Sequence, residues 1–304
     1  MRIHHLNCIS SCPLGGRLMD GLSPSVLQRG QLTCHCLLIE TGDGLVLVDT
    51  GYGLHDVHDP HSRLSEFFLK QLKPDFREEM TALRQIEKLG FRAEDVRHII
   101  LSHLDFDHAG GLDDFPSAKV HMMQSEIHGA KAQKNWLDRQ RFRPQQWSTE
   151  PNWLSYHAES GESWFGFAKV HALEGIPPEI LMLPLIGHTL GHAGVAIQRS
   201  EGWLLYAGDA YFYEGEMNVE KPHCTPGLKA YQMMMEKDRR SRLWNQNRLR
   251  ELIKFHGSEV DVFCAHDVAE FIRLAERSAD VPVRALPRDE LSFASDYSAE
   301  HHLH

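Results

Sequence analysis

The chain has 304 residues, of which 42% are hydrophobic and 24% charged, the composition of a globular protein with a sizeable core. Its formal net charge is -10, and an acidic surface repels phosphate backbones, which excludes nucleic acid as a partner. The opening Met1-Arg2-Ile3-His4-His5-Leu6-Asn7 lacks the apolar stretch of an export signal. No run reaches the roughly 18 apolar residues that cross a bilayer, so a cytoplasmic location with no membrane partner is expected.

Leu32 to Glu40 reads as a strand, Thr41-Gly42-Asp43-Gly44 as a turn, and Leu45 to Val48 as the returning strand, which stops at Asp49-Thr50-Gly51. Residues 55–78 read as a loop with helical pieces. From Met80 the apolar positions Met80, Leu83, Ile86 and Leu89 recur at helical spacing, and Gly90 is placed to stop that helix. Val96 to Leu101 and Lys119 to Met123 are expected strands. Residues 124–165, rich in Trp, Gln, Arg and Pro, read as a helical or loop insert capping a site. Ile180 to Leu185 leads into Gly187-His188. Val195 to Gln198 and Trp203 to Ala207 read as a hairpin ending at Gly208-Asp209. Residues 228–256 read as one long helix, and Val260 to Cys264 as a last strand ending at Ala265-His266. No linker composition divides the chain, so residues 1–304 are expected as a single domain. Cys8, Cys12, Cys34, Cys36, Cys224 and Cys264 are too scattered for a zinc cluster and are expected as free thiols. The tail His301-His302-Leu303-His304 is expected to be a disordered end.

The chemistry concentrates in His103-Leu104-Asp105-Phe106-Asp107-His108. Four metal-competent side chains fall within six residues directly after a strand, where a loop can turn them inward. Ala109-Gly110-Gly111 then lets the backbone turn tightly. A polar loop that happens to be rich in His and Asp is the bland alternative.

This segment resembles the His-x-His-x-Asp-His signature of the metallo-beta-lactamase superfamily. The further motifs of that pattern follow in order: Asp49 in Leu47-Val48-Asp49-Thr50-Gly51, His188 in Gly187-His188-Thr189-Leu190-Gly191-His192, Asp209 in Tyr206-Ala207-Gly208-Asp209, and His266 in Phe263-Cys264-Ala265-His266-Asp267. The resemblance spans roughly residues 30–270 and implies an α/β fold, an αββα sandwich of two sheets faced by helices. It implies two divalent metal ions. His103, Asp105 and His188 would hold the first, Asp107, His108 and His266 the second, and Asp209 would bridge them. Asp107 and Asp209 are the expected catalytic residues. His192 competes with His188 as a ligand; His188, directly after the strand and Gly187, is preferred, and His192 and Asp49 are expected to support ligands from behind.

The chain departs from the family at Asp105, where histidine is usual. The implied ligands are four histidines and three aspartates. Zinc is the metal first expected, and the oxygen-richer set moves preference toward iron or manganese. The resemblance implies a hydrolase of esters or lactones, acyl-homoserine lactones among them, acting through a metal-bridging hydroxide on a small-molecule substrate. Phosphoester, organophosphate or thioester hydrolysis on the same site, an iron-dependent oxygenase, and a binder without catalysis are the alternatives; a homodimer is a compatible assembly. In the family's acyl-homoserine lactonases a tyrosine three residues after the bridging aspartate helps bind the lactone carbonyl. Here that place holds Phe212, between Tyr211 and Tyr213. The insert offers Trp136, Phe142, Trp147, Trp153, Tyr156, Trp164 and Phe165 either as an apolar substrate pocket or as packing.

Overall fold

The computed structural model describes residues 1–157 and 161–277. The expected disordered tail at 301–304 lies outside them, as does the end of the 1–304 domain expectation. Among the described residues the strands are β1 (Arg2–Asn7), β2 (His35–Thr41), β3 (Gly44–Val48), β4 (Val96–Ile100), β5 (Lys119–Met123), β6 (Trp153–Tyr156), β7 (Glu162–Trp164), β8 (Phe167–Ala172), β9 (Ile180–Pro184), β10 (Ala193–Gln198), β11 (Trp203–Tyr206) and β12 (Val260–Phe263). The helices are α1 (Arg17–Asp20), α2 (Leu54–His58), α3 (Pro60–Arg63), α4 (Glu66–Leu72), α5 (Ala82–Lys88), α6 (Gln124–Ala132), α7 (Trp136–Arg141), α8 (Pro226–Met235), α9 (Arg239–His256) and α10 (Val268–Arg277).

The strands form two six-stranded sheets in the orders β1-β2-β3-β4-β5-β6 and β12-β11-β10-β9-β8-β7. Side chains alternate between faces along each strand, and this alternation builds the layers. Val46 and Val48 of β3 meet Val195 and Ile197 of β10 and Tyr206 of β11 in a core between the sheets. Leu45 and Leu47, pointing the other way, pack under Ala82 and Ile86 of α5. On the second sheet Leu205 and Val262 turn outward to Leu249 and Leu252 of α9. The result is the expected helix–sheet–sheet–helix sandwich. No described helix is long and apolar enough to cross a membrane, and all six cysteines are free.

Three features differ from the sequence expectation. β1 and β8 are strands that the sequence reading left unassigned; β1 begins with Arg2 and carries His4 and His5, residues that weaken an apolar signal. The 124–165 stretch contains α6 and α7, and it also supplies β6 and β7, the outermost strands of the two sheets. The long helix expected over 228–256 is two helices, α8 and α9, parted at Glu236–Asp238. Asp238 is the N-cap of α9, its carboxylate accepting from Ser241 N at 3.1 Å, and the freed backbone at the junction is used elsewhere, as described below.

α10 ties the end of β12 to the loop after β11. Glu270 accepts the Tyr211 hydroxyl at 2.8 Å and the Cys264 backbone N–H at 2.7 Å. Burial, with the nearby Asp267 charge, pushes its carboxyl up to about 8 from 4.5. The folded chain therefore keeps this proton over a range where the unfolded chain has lost it, so this contribution to stability falls as pH rises from 4.5 to about 8. Glu270→Gln removes the ionisation. The variant is expected to melt at least about 3 °C above the parent at pH 9 and to lose that advantage at pH 5, measured by thermal unfolding across pH.

Candidate metal centre

All seven expected ligands stand on loops at the C-terminal ends of strands. His103, Asp105, Asp107 and His108 follow β4, His188 follows β9, Asp209 follows β11, and His266 follows β12. The donor atoms of His103, Asp105, His188 and Asp209 lie within 4.8 Å of one another, and those of Asp107, His108 and His266 form a second such group. Asp209 reaches both. Its Oδ1 is 3.3 Å from His108 Nε2 and 3.1 Å from His266 Nε2, while its Oδ2 is 3.3 Å from His188 Nε2 and 3.7 Å from His103 Nε2. His103 Nε2 and Asp209 Oδ1 are buried with no hydrogen-bond partner, an arrangement that is costly unless a cation takes up their lone pairs. The donor set therefore fits divalent metal of the dinuclear type. Asp107, 7% exposed, is the most open of the seven.

The scaffold behind the donors is Asp49. It is fully buried and sits at φ 53°, in the left-handed region that Asp tolerates better than most residues. Its carboxylate accepts from Ser102 N at 2.7 Å, Ser102 Oγ at 2.6 Å, Tyr206 Oη at 2.6 Å and His108 Nδ1 at 2.8 Å. Burial pushes this carboxyl up, but the bonds from His108 and Ser102 hold it below its ordinary value. Ser102 Oγ, having donated its proton to Asp49, accepts from His103 Nδ1 at 2.9 Å. The Thr33 carbonyl accepts from His266 Nδ1 at 2.7 Å. Three histidines thus present Nε2 to the centre with their tautomer fixed from behind.

His192 is excluded from the cluster by its own bonds. Its Nδ1 donates to the Leu185 carbonyl at 2.9 Å, and its Nε2 accepts from the Asp209 backbone N–H at 2.8 Å. It orients the Asp209 loop. The close fit requires Gly208, at φ +54°, since a Cβ there would lie 2.7 Å from His192 Nε2.

Arg141, at the end of α7, is a site residue that the sequence reading missed. It is fully buried. Nε donates to Asp105 Oδ1 at 2.7 Å, Nη2 donates to Asp105 Oδ2 and lies 2.8 Å from His188 Nε2, and Nη1 donates to the Met235 carbonyl. Burial pushes the Asp105 carboxyl up, but Arg141, His103 and His188 together hold it well below its usual range. Burial and the Arg141 charge press His188 down to about 4, so this imidazole is neutral. The break between α8 and α9 serves the same corner: the Gly187 carbonyl accepts from Lys237 N at 2.8 Å and from Asp238 N at 2.9 Å. An unbroken helix would leave the His188 loop and the Arg141 guanidinium without these partners.

The aromatic residues divide between packing and site. Phe212 stacks on His266, with centroids 5.1 Å apart and planes at 16°. Tyr211 is committed to Glu270, and the Tyr213 ring packs on His223 at 5.8 Å. Tyr231 of α8 meets the edge of Phe212 at 5.8 Å. Burial raises its phenol, with the Asp107, Asp105 and Asp209 charges adding to the shift, and it makes no hydrogen bond among the described residues. Trp147 and Trp153 pack on each other, as Trp164 does on Phe165 and Trp203. Tyr156 bonds to His121. Phe142 lines a cavity of about 450 Å³ with Ala130, Leu190 and Thr189, and also with Glu126, Lys134, Asp138 and Lys237, between the insert helices and the His188 loop. Trp136 is half exposed against Phe67.

A sequence profile of the metallo-beta-lactamase superfamily matches residues 29–256. The chain belongs to this superfamily. It is 39% identical to a probable metallo-hydrolase of Mycobacterium tuberculosis over 269 residues, covering 88% of this chain and 80% of that one. It is 28% identical to an N-acyl homoserine lactonase of Bacillus cereus, covering 69% of this chain and 78% of the relative. A solved N-acyl homoserine lactone hydrolase with N-hexanoyl-L-homoserine at its metal centre aligns with TM-score 0.65 at 21% identity, over 90% of this chain and 95% of that one; at that identity the likeness shows the superfamily fold. The superfamily and these hydrolase-named relatives make the chain a metal-dependent hydrolase.

Asp49→Asn removes one acceptor and the charge behind His108, and is expected to lower metal affinity about 10- to 100-fold in a metal titration. His192→Phe, which strands the Asp209 N–H, is expected to lower stability by about 1–3 kcal/mol in denaturant unfolding.

Proposed function

We propose that the chain hydrolyses esters or lactones of small molecules, with acyl-homoserine lactones among the candidate substrates, and that His103, Asp105, Asp107, His108, His188, Asp209 and His266 hold its metal ions. The observation that carries this reading is the bridging position of Asp209, one carboxylate oxygen facing each donor group. Zinc fits the four imidazoles; the three carboxylates also admit iron or manganese. When bound, a pair of divalent ions supplies a lowered water pKa and polarises the carbonyl under attack.

The chain's own residues supply the rest. Asp107 is the most open carboxylate of the centre and lies 3.8 Å from His266 through Oδ2. Burial raises its carboxyl against the pull of His108 and His266, which suits it to take and release a proton at that oxygen. Its backbone is held by Cys34, whose thiol donates to the Asp107 carbonyl at 2.8 Å. Phe212 cannot donate to a substrate carbonyl, and Tyr211 is turned away to Glu270. Tyr231 takes over the phenol's role from another element: its unpartnered hydroxyl is the donor available to a substrate oxygen.

A purified sample assayed on lactone, ester, thioester and phosphoester panels is expected to cleave the first two classes, to lose activity after chelation and to regain it with added zinc or manganese. Full activity of the stripped protein would sink the proposal. Asp107→Ala and Asp209→Ala are expected to abolish turnover. Tyr231→Phe is expected to lower kcat about 100-fold with metal content unchanged; an unchanged kcat would remove Tyr231 from the reaction.

A further inference from the structure

A histidine binds a cation well when its Nε2 lone pair is free and its Nδ1 proton has an acceptor. His108, His266 and His103 have that acceptor in Asp49, the Thr33 carbonyl and Ser102 Oγ. His188 has none: its Nδ1 is buried without a hydrogen-bond partner. Its Nε2 is engaged as well, 2.8 Å from Arg141 Nη2. The same guanidinium grips both oxygens of Asp105, so two of the four donors on this side are set against a cation that never deprotonates in proteins.

Arg141 is not free to swing aside. Its Nη1 donates to the Met235 carbonyl, and its helix is pinned by the ion pair between Asp138 and Lys237. On the other side, no arginine or lysine bonds to the side chains of Asp107, His108 or His266 among the described residues. Charge points the same way. One divalent ion and one guanidinium together carry three positive charges, matching Asp105, Asp107 and Asp209, whereas a second divalent ion enters a centre already balanced.

We propose that Arg141 makes the centre unequal: the Asp107–His108–His266 half takes its divalent ion first and tightly, whereas the His103–Asp105–His188 half takes its ion weakly and must draw His188 away from Arg141 to do so. This rests on the ligand set proposed above and makes Arg141 a positioning residue that governs metal occupancy. At low free metal the centre would hold one ion beside the guanidinium.

The test is stoichiometry. The full chain, stripped of metal, is dialysed against zinc buffered at stepped free concentrations, and bound zinc per chain is counted by elemental analysis. The expected curve has a plateau at one ion, with the second filling only at free zinc about 10- to 100-fold higher. His188→Ala is expected to keep the first plateau and lose the second; His266→Ala loses the first. Arg141→Gln frees His188 Nε2 and is expected to narrow the gap about tenfold or more. The double variant Asp105→His/Arg141→Gln leaves no unpaired buried charge and gives the same answer where the single variant does not fold. An arginine with a merely structural role would lower the melting temperature of these variants and leave the gap as it is. Two ions binding the parent with equal affinity, or loss of the first plateau in His188→Ala, overturns the proposal. Binding of no zinc at all overturns the ligand set and the proposal with it.

Discussion

Three aspartate side chains, Asp105, Asp107 and Asp209, converge in a space almost closed to water, and charge of one sign cannot be gathered there without an offset. This constraint organises the site. Part of the offset is a property of the polypeptide, the Arg141 fork on Asp105. The rest is left to cations, which the orphaned Nε2 of His103 and Oδ1 of Asp209 await. The fold supplies rigidity for this arrangement: each donor loop starts where a strand of one of the two sheets ends, so the donors are held by backbone ladders and not by loops alone.

A fourth aspartate, Asp49, acts differently because its neighbours differ. It is as buried as the others, yet four donors surround it, so its charge is satisfied by hydrogen bonds. It links β3, the start of the His103 loop, and Tyr206 of the second sheet. Through it the two sheets are locked at the end where the donors emerge. The left-handed backbone at Asp49 costs conformational energy, and the network it serves over-determines that conformation.

The motif-bearing half of the site was legible in the sequence because its information is local. His103 to His108 lie within one loop, and His188, Asp209 and His266 each follow an apolar strand that announces itself by composition. His188 was separable from His192 in sequence only by its place after Gly187; the bonds from His192 to Leu185 and Asp209 give the physical ground. Non-local features were illegible. Arg141 is 36 residues from Asp105, flanked by Arg139 and Arg143 in a stretch read as an insert rich in Trp, Gln, Arg and Pro. Tyr231 falls within the stretch read as one long helix, where nothing marks it from its neighbours. β1 and β8 lack the apolar density of central strands, since tertiary pairing and not propensity makes them strands.

The misread helix over 228–256 and the unforeseen Arg141 have one physical origin. Helical periodicity counts only apolar contacts on one face, and it runs through Glu236-Lys237-Asp238 without objection. Yet the carbonyl of Met235 is needed by Arg141, and the N–H groups of Lys237 and Asp238 are needed by Gly187. Breaking the helix releases these backbone groups at the one place where they hold the His188 loop and the guanidinium together. The sequence does carry a trace of this. An aspartate in place of an imidazole at 105 adds a negative charge to an already acidic cluster, and in the folded chain that charge meets the Arg141 guanidinium. Only the folded chain shows that the guanidinium paired with Asp105 also leans on His188, coupling the charge of one ligand to the availability of another.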